Sequence, residues 1–157
     1  MLGRTYEDQN CSVAKTLELV GERWTVLILR EIYFGHRRFD EMATNLGIAR
    51  NVLTQRLQHL QDQQVLTKRA YQERPERFEY RLTEKGIDLW PVIVSLLQFG
   101  DRYYAPHGPP IVLTHKDCGG ELDAHRICTT CGERINARNV RAHKGPGATV
   151  TPVTTAA

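Results

Sequence analysis

The sequence has no apolar run near the roughly 18 residues that a membrane span needs. It has no HExxH motif, no glycine-rich phosphate loop and no Ser/His/Asp arrangement beyond chance. Its one CxxC, Cys128 to Cys131, lacks the βαβ context of a thiol oxidoreductase. The N-terminal MLGRTYEDQNCSV lacks the charged head, apolar stretch and small-residue cleavage site of a secretory signal. These absences predict a soluble cytoplasmic chain that is not an enzyme, in a reducing setting where four cysteines are thiols or metal ligands.

A strong charge of either sign is missing too. The net charge is +3, which many proteins of this size carry and which alone points to no partner. Its placement is more informative. From Arg37 to Arg77 there are eight Lys/Arg (37, 38, 50, 56, 68, 69, 74, 77) against five acids (40, 41, 62, 73, 76), so this segment carries the whole excess.

What is present, in 157 residues that are 41% hydrophobic and 25% charged, suffices for one buried core and a small appendage with its own staple. Val13, Ala14, Leu17 and Val20 mark one face of a helix from Ser12 to Val20, ended by Gly21. Trp24 to Phe34 is apolar almost all round, as a helix enclosed by neighbours would be. Phe39, Met42, Ala43 and Leu46 keep helical spacing up to Gly47, a left-handed stop. Beyond it, Val52, Leu53, Leu57 and Leu60 mark the buried side of a helix over 50–63, with Arg50, Asn51, Thr54, Gln55 and Gln58 on the other. Helix, tight turn and polar-faced helix make a helix-turn-helix pattern.

The period then changes to two. Val65 to Tyr71 and Arg77 to Leu82 are expected strands, and Gln72 to Glu76 their loop, giving a hairpin with a basic tip. Thr83 is a good N-cap for a long last helix. Pro91 should kink that helix or start a second one, and LWPVIVSLLQFG is too apolar to stay in water on one subunit. The predicted fold class is α+β, mostly α: a winged helix-turn-helix with a β-hairpin wing, a long C-terminal dimerisation helix and a small appendage. The expected division is 11–104 for DNA binding and dimerisation, 105–142 for a zinc-ribbon-like extension and 143–157 for a disordered tail.

His115-x2-Cys118, nine residues, then Cys128-x2-Cys131 is zinc-ribbon spacing. Gly119 and Gly132 follow the two pairs and permit the turn that aims backbone amides at thiolate sulfurs. Four protein ligands leave no open position, so a zinc here would be structural. The alternatives are free thiols or a Cys128–Cys131 redox pair, and His125 is the second candidate for the fourth ligand.

Cys11, GERW (21–24), the LILREI helix, RRFDEM (37–42), LTQRLQHLQ (53–61) and EYRLTEKG (79–86) together resemble the HxlR group of bacterial winged-helix regulators, relatives of the MarR regulators. The resemblance covers about Cys11 to Tyr103. It implies a bacterial homodimeric regulator, favouring repression, that binds a palindromic operator in double-stranded DNA. It places the dimer interface on the N-terminal and last helices, with a pocket for a small-molecule or electrophile effector between the halves. Ala49 departs from the Ser or Thr often found at that position and can neither cap the helix nor donate to a phosphate.

On that docking geometry Arg50, Asn51, Thr54 and Gln55 are the candidate base readers, since Arg pairs with guanine and Asn or Gln with adenine through two bonds. Lys68, Arg69, Arg74 and Arg77 of the wing, and Arg37 and Arg38 at a helix start, are candidates for phosphates or a minor groove. The alternatives are a solvated helix face and surface cations paired with Glu73, Glu76, Asp40 or Glu41. A winged-helix protein-interaction module is the rival function. Cys11 lies where some similar proteins sense oxidants or electrophiles; the alternative is a small packed residue at the N-terminus.

Overall fold

The computed structural model describes Tyr6, residues 11–123 and residues 125–146. The last residues of the expected tail, 147–157, lie outside the described residues. The chain divides into two compact units, Met1–Leu89 and Trp90–Ala157.

The first unit is a winged helix. Helix α1 spans Ser12–Val20 and buries Ala14 and Val20, while Val13 and Leu17 on the same predicted stripe remain 67% and 45% exposed. Helix α2 (Arg23–Tyr33) is the core element and buries Ile28, Leu29 and Ile32. Its start is set by Glu22, whose carboxylate accepts from the Trp24 and Thr25 amides at 3.0 and 3.3 Å. The same carboxylate faces Arg56 Nε of the fourth helix at 3.7 Å.

Helix α3 (Phe39–Leu46) ends at Gly47, whose φ of +60° is the left-handed value expected there. Helix α4 (Arg50–Asp62) starts one residue after Ala49, an N-cap with no side-chain hydrogen bond. It buries Leu53, Leu57 and Leu60 against the core, and burial of each such side chain contributes roughly 1.5–3 kcal/mol.

A buried carboxylate fixes α3 on α2. Glu31 is 4% exposed and accepts from Asn45 Nδ2 at 2.8 Å and Arg30 Nη2 at 2.7 Å, with His36 Nδ1 at 2.8 Å. Burial pushes its carboxyl pKa up, but the Asn45 and Arg30 hydrogen bonds and the Arg30 and His36 charges outweigh that and leave it below the ordinary value.

The wing is an antiparallel pair of β1 (Leu66–Glu73) and β2 (Glu76–Leu82). Its turn is only Arg74–Pro75, shorter than the expected loop, because pairing continues to Glu73 and Glu76. The register slips between Ala70 and Gln72, leaving Tyr71 in a bulge. The Tyr80 amide donates to the Arg37 carbonyl at 2.8 Å, which ties the wing to the start of α3. Of the two outcomes expected at Pro91, a kink or a second helix, the chain takes the second helix. Thr83 caps a short α5 (Glu84–Asp88) by accepting from Gly86 N at 3.1 Å, and the Tyr33 hydroxyl donates to the Gly86 carbonyl.

The second unit begins with α6 (Trp90–Tyr104), which has Pro91 in its first turn, where a missing amide hydrogen costs nothing. Strands β3 (Ile111–His115) and β4 (Val140–Lys144) pair antiparallel. His143 and Lys144, expected in the tail, therefore belong to a strand that pairs with Val112 and Ile111. The division between units falls ahead of α6, whereas the expected boundary fell behind it. Within this unit the Gln98 side chain of α6 donates to the Asp123 carbonyl at 2.7 Å.

Because the Glu31 carboxyl titrates below its unfolded value, its contribution to stability is complete above pH of about 4.3 and is lost as pH falls through the folded value. Urea unfolding of Glu31→Gln should cost about 1–3 kcal/mol at neutral pH. The gap from wild type should narrow below about pH 4; a gap independent of pH would contradict the assigned role.

Candidate nucleic-acid interface and metal centre

The exposed side of α4 carries Arg50, Asn51, Thr54 and Gln55, all four predicted readers. The Thr54 hydroxyl donates to its own helix, to the Arg50 carbonyl at 2.9 Å, which orients its oxygen rather than leaving it free to rotate. Arg50 pairs with Asp40 at 2.8 Å and lies 4.7 Å from the centre of the Phe39 ring. That pair is largely solvated on both sides, so it holds a geometry more than it stabilises the fold.

Three of the six predicted phosphate-binding cations, Arg38, Lys68 and Arg77, line a cleft with Arg50; Arg37, Arg69 and Arg74 are not part of its lining. The cleft, of about 500 Å³, lies between the start of α3, the start of α4 and the wing. Among the described residues, no carboxylate lies within 4.0 Å of the charged groups of Arg37, Arg38, Lys68, Arg69, Arg74 or Arg77; of the expected acidic partners, Asp40 pairs with Arg50, and Glu41 accepts from the Arg38 backbone amide at 3.2 Å.

Two of these cations rest on rings instead. Arg38 lies 4.5 Å over Tyr71 and Lys68 4.0 Å over Phe78. The bulge that re-aims Tyr71 creates the first of these stacks. Tyr71 and Phe78 carried no signal of a site in the sequence, where only the basic residues pointed to one. The bulge and the alternation of β2 that place these rings depend on the register.

In the second unit, the four ligands predicted from spacing converge. A ring nitrogen of His115 and the sulfurs of Cys118, Cys128 and Cys131 all lie within 4.8 Å of one another. Individual separations are 3.2 Å for Cys118–Cys128, 3.3 Å for His115–Cys118 and 3.4 Å for His115–Cys131. Tetrahedral zinc bonded at about 2.3 Å to sulfur and 2.0 Å to nitrogen spaces its ligand atoms about 3.5–3.8 Å apart, so small outward shifts accommodate it. The donor set is compatible with zinc. His125 is exposed and outside the cluster.

The turns are the expected ones. Gly119 and Gly132 have φ of +71° and +74°, and their amides donate to the His115 and Cys128 carbonyls at 2.8 and 2.9 Å. A side chain at Gly120 would collide with the Cys128 sulfur and Thr130. The Cys128 thiol is pushed down to about 6, chiefly by the Cys131 amide. Cys131 goes up to about 11: the Glu133 amide pulls it down, but desolvation and the Cys118 and Cys128 sulfurs outweigh that.

Cys11 is the N-cap residue of α1, exposed, unpaired in any disulfide, and without a side-chain capping bond. It belongs to neither constellation. No helix among the described residues is long and apolar enough to cross a membrane.

A helix-turn-helix with a basic wing beside its second helix defines a winged-helix DNA-binding transcriptional regulator. The model of the HxlR-like helix-turn-helix family matches residues 19–108, and the chain belongs to that family. It is 55% identical over 137 residues to an uncharacterised HTH-type transcriptional regulator of Mycobacterium tuberculosis H37Rv, covering 87% of each chain. Among solved structures it is similar to PA1607, a candidate transcription factor, with a TM-score of 0.68 and 32% identity over 86% of this chain and 95% of that one. It is also similar to the reduced form of the redox regulator HypR, with a TM-score of 0.53 and 25% identity over 59% of this chain and 92% of that one.

Proposed function

We propose that this regulator binds a palindromic operator as a homodimer in the cytoplasm and represses transcription, without enzymatic activity. The observation that carries the proposal is the shared cleft, at which the starts of α3 and α4 and the wing present Arg38, Arg50, Lys68 and Arg77 together. Helix α4 enters the major groove with Arg50, Asn51, Thr54 and Gln55 at the base edges. Lys68, Arg69, Arg74 and Arg77 of the wing, with Arg37 and Arg38, hold the flanking backbone. With Ala49 as N-cap, register on the DNA depends on the wing rather than on a capping hydroxyl.

Dimerisation has its own support. Val92, Leu96, Phe99 and Tyr103 follow helical spacing along α6 and are 39%, 52%, 56% and 58% exposed, an apolar stripe that a second copy would cover. Val13 and Leu17 give α1 a similar uncovered face. The segment from residue 105 onward serves as a zinc-ribbon-like extension in which His115, Cys118, Cys128 and Cys131 hold one structural zinc. That metal would supply the cross-link that so small a unit lacks.

An effector arm completes the proposal. Exposure of Cys11 at the start of α1, and the likeness to a redox regulator, support its modification by oxidants or electrophiles as the signal that changes operator affinity.

Replacing Arg74 and Arg77 by Ala should weaken binding to every duplex and flatten the salt dependence by about one unit of slope for each phosphate no longer neutralised. Asn51→Ala or Gln55→Ala should instead relax sequence choice. Binding that neither set alters in a salt-titrated gel shift contradicts the model and favours a protein-interaction module. Purified protein should contain about one zinc per chain by elemental analysis, falling in Cys118→Ser; zinc-free protein, or unchanged zinc in that variant, contradicts the metal assignment. Oxidant-treated protein with Cys11 modified should lose operator affinity, and undiminished binding removes the switch.

A further inference from the structure

The two ring nitrogens of His115 have different surroundings. Nδ1 faces the sulfurs of Cys118 and Cys131 at 3.3 and 3.4 Å. Nε2, across the ring, is buried and has no hydrogen-bond partner, although the residue is only 1% exposed. A buried ring nitrogen without a partner is uncommon in native proteins.

Two carboxylates stand just outside hydrogen-bonding range of it. Glu133 Oε2 is 3.5 Å away and Asp117 Oδ2 3.7 Å. Both side chains are mostly in solvent, at 65% and 82% exposure, so either can move the remaining few tenths of an ångström by a side-chain rotation. Glu133 is the nearer and is better anchored. Its carbonyl accepts from the Cys128 amide at 2.8 Å and its amide reaches the Cys131 sulfur, so the backbone that fixes two ligands also fixes this residue.

Histidines that bind a metal through one nitrogen commonly donate the other N–H to a carboxylate, which fixes the tautomer and the plane of the ring. We infer that His115 binds zinc through Nδ1 and that Glu133 is its positioning residue, accepting the Nε2–H. The inference rests on the zinc assignment above. The Nε2–H tautomer leaves the Nδ1 lone pair on the side of the three sulfurs, and the Glu133 carboxylate holds the ring in that plane. Asp117 is the more exposed and farther acceptor and contributes little.

The test is zinc affinity of the full chain, measured by competition with a chromogenic chelator. Glu133→Ala should bind zinc about 10–100-fold more weakly than wild type. Glu133→Gln keeps an acceptor oxygen and should recover most of the loss, while Asp117→Ala should stay within about twofold. Cobalt substituted for zinc should give the same thiolate charge-transfer bands in wild type and Glu133→Ala, showing that the ligands themselves are retained. Nitrogen-15 imidazole spectra of the zinc-loaded protein should report His115 as the Nε2–H tautomer. Wild-type affinity in Glu133→Ala, or metal on Nε2, overturns the inference. Failure of the zinc assignment looks different: wild type itself would bind no stoichiometric zinc and give no thiolate band with cobalt.

Discussion

The placement of α3 and α4 depends on how α2 is tied to its neighbours, and two carboxylates, Glu31 and Glu22, stand at those ties. Glu31 is buried on α2 and takes a hydrogen bond from Asn45 near the end of α3. Glu22 caps α2 and faces Arg56 of α4. Apolar packing among Ile28, Leu29, Leu53 and Leu57 supplies the stabilisation, but it is non-directional and tolerates sliding. The Glu31–Asn45 hydrogen bond is directional and selects one placement of α3 on α2, whereas Glu22 and Arg56, at 3.7 Å, make a charge contact without a hydrogen bond. An isolated antiparallel backbone bridge between Arg38 and Glu79 then joins the start of α3 to the wing, so that helix and hairpin flank one cleft.

Much of this was legible because the responsible signals are local. The bounds of α1 followed from apolar spacing closed by Gly21, and the turn before α4 from Gly47, whose left-handed backbone the structure contains. The wing strands followed from alternation, but their turn was drawn too long. Proline and charge mark a turn's neighbourhood without giving its length, and only pairing across the strands decides that Arg74–Pro75 suffices. Pro91 left a kink and a new helix equally open; the chain takes the new helix, with the break at Leu89. Val13 and Leu17 illustrate a further limit. Periodicity identifies a helix face but not what covers it.

Site residues divide the same way. Residue type and spacing named the four prospective metal ligands, since CxxC-type pairs bring their own turns. The convergence of the two pairs is a long-range fact that β3, β4 and the bridges around Cys128 supply. Glu31 and Glu133 carried no sequence signal. A carboxylate inside an apolar helix or after a glycine looks like solvated surface until its partner, 14 residues away for Glu31 and Asn45, is in place. Family membership accounts for the helix-turn-helix and wing. The metal cluster lies beyond the 19–108 match and stands on its own geometry.

The central claim is sequence-selective operator binding by a dimer through α4 and the wing. The most direct measurement is titration of the purified protein against a labelled fragment of its own upstream DNA, across a salt series and against unrelated competitor. The account predicts selective, salt-sensitive binding that saturates at one dimer per palindromic site. Binding with no preference over competitor at any salt concentration would contradict it.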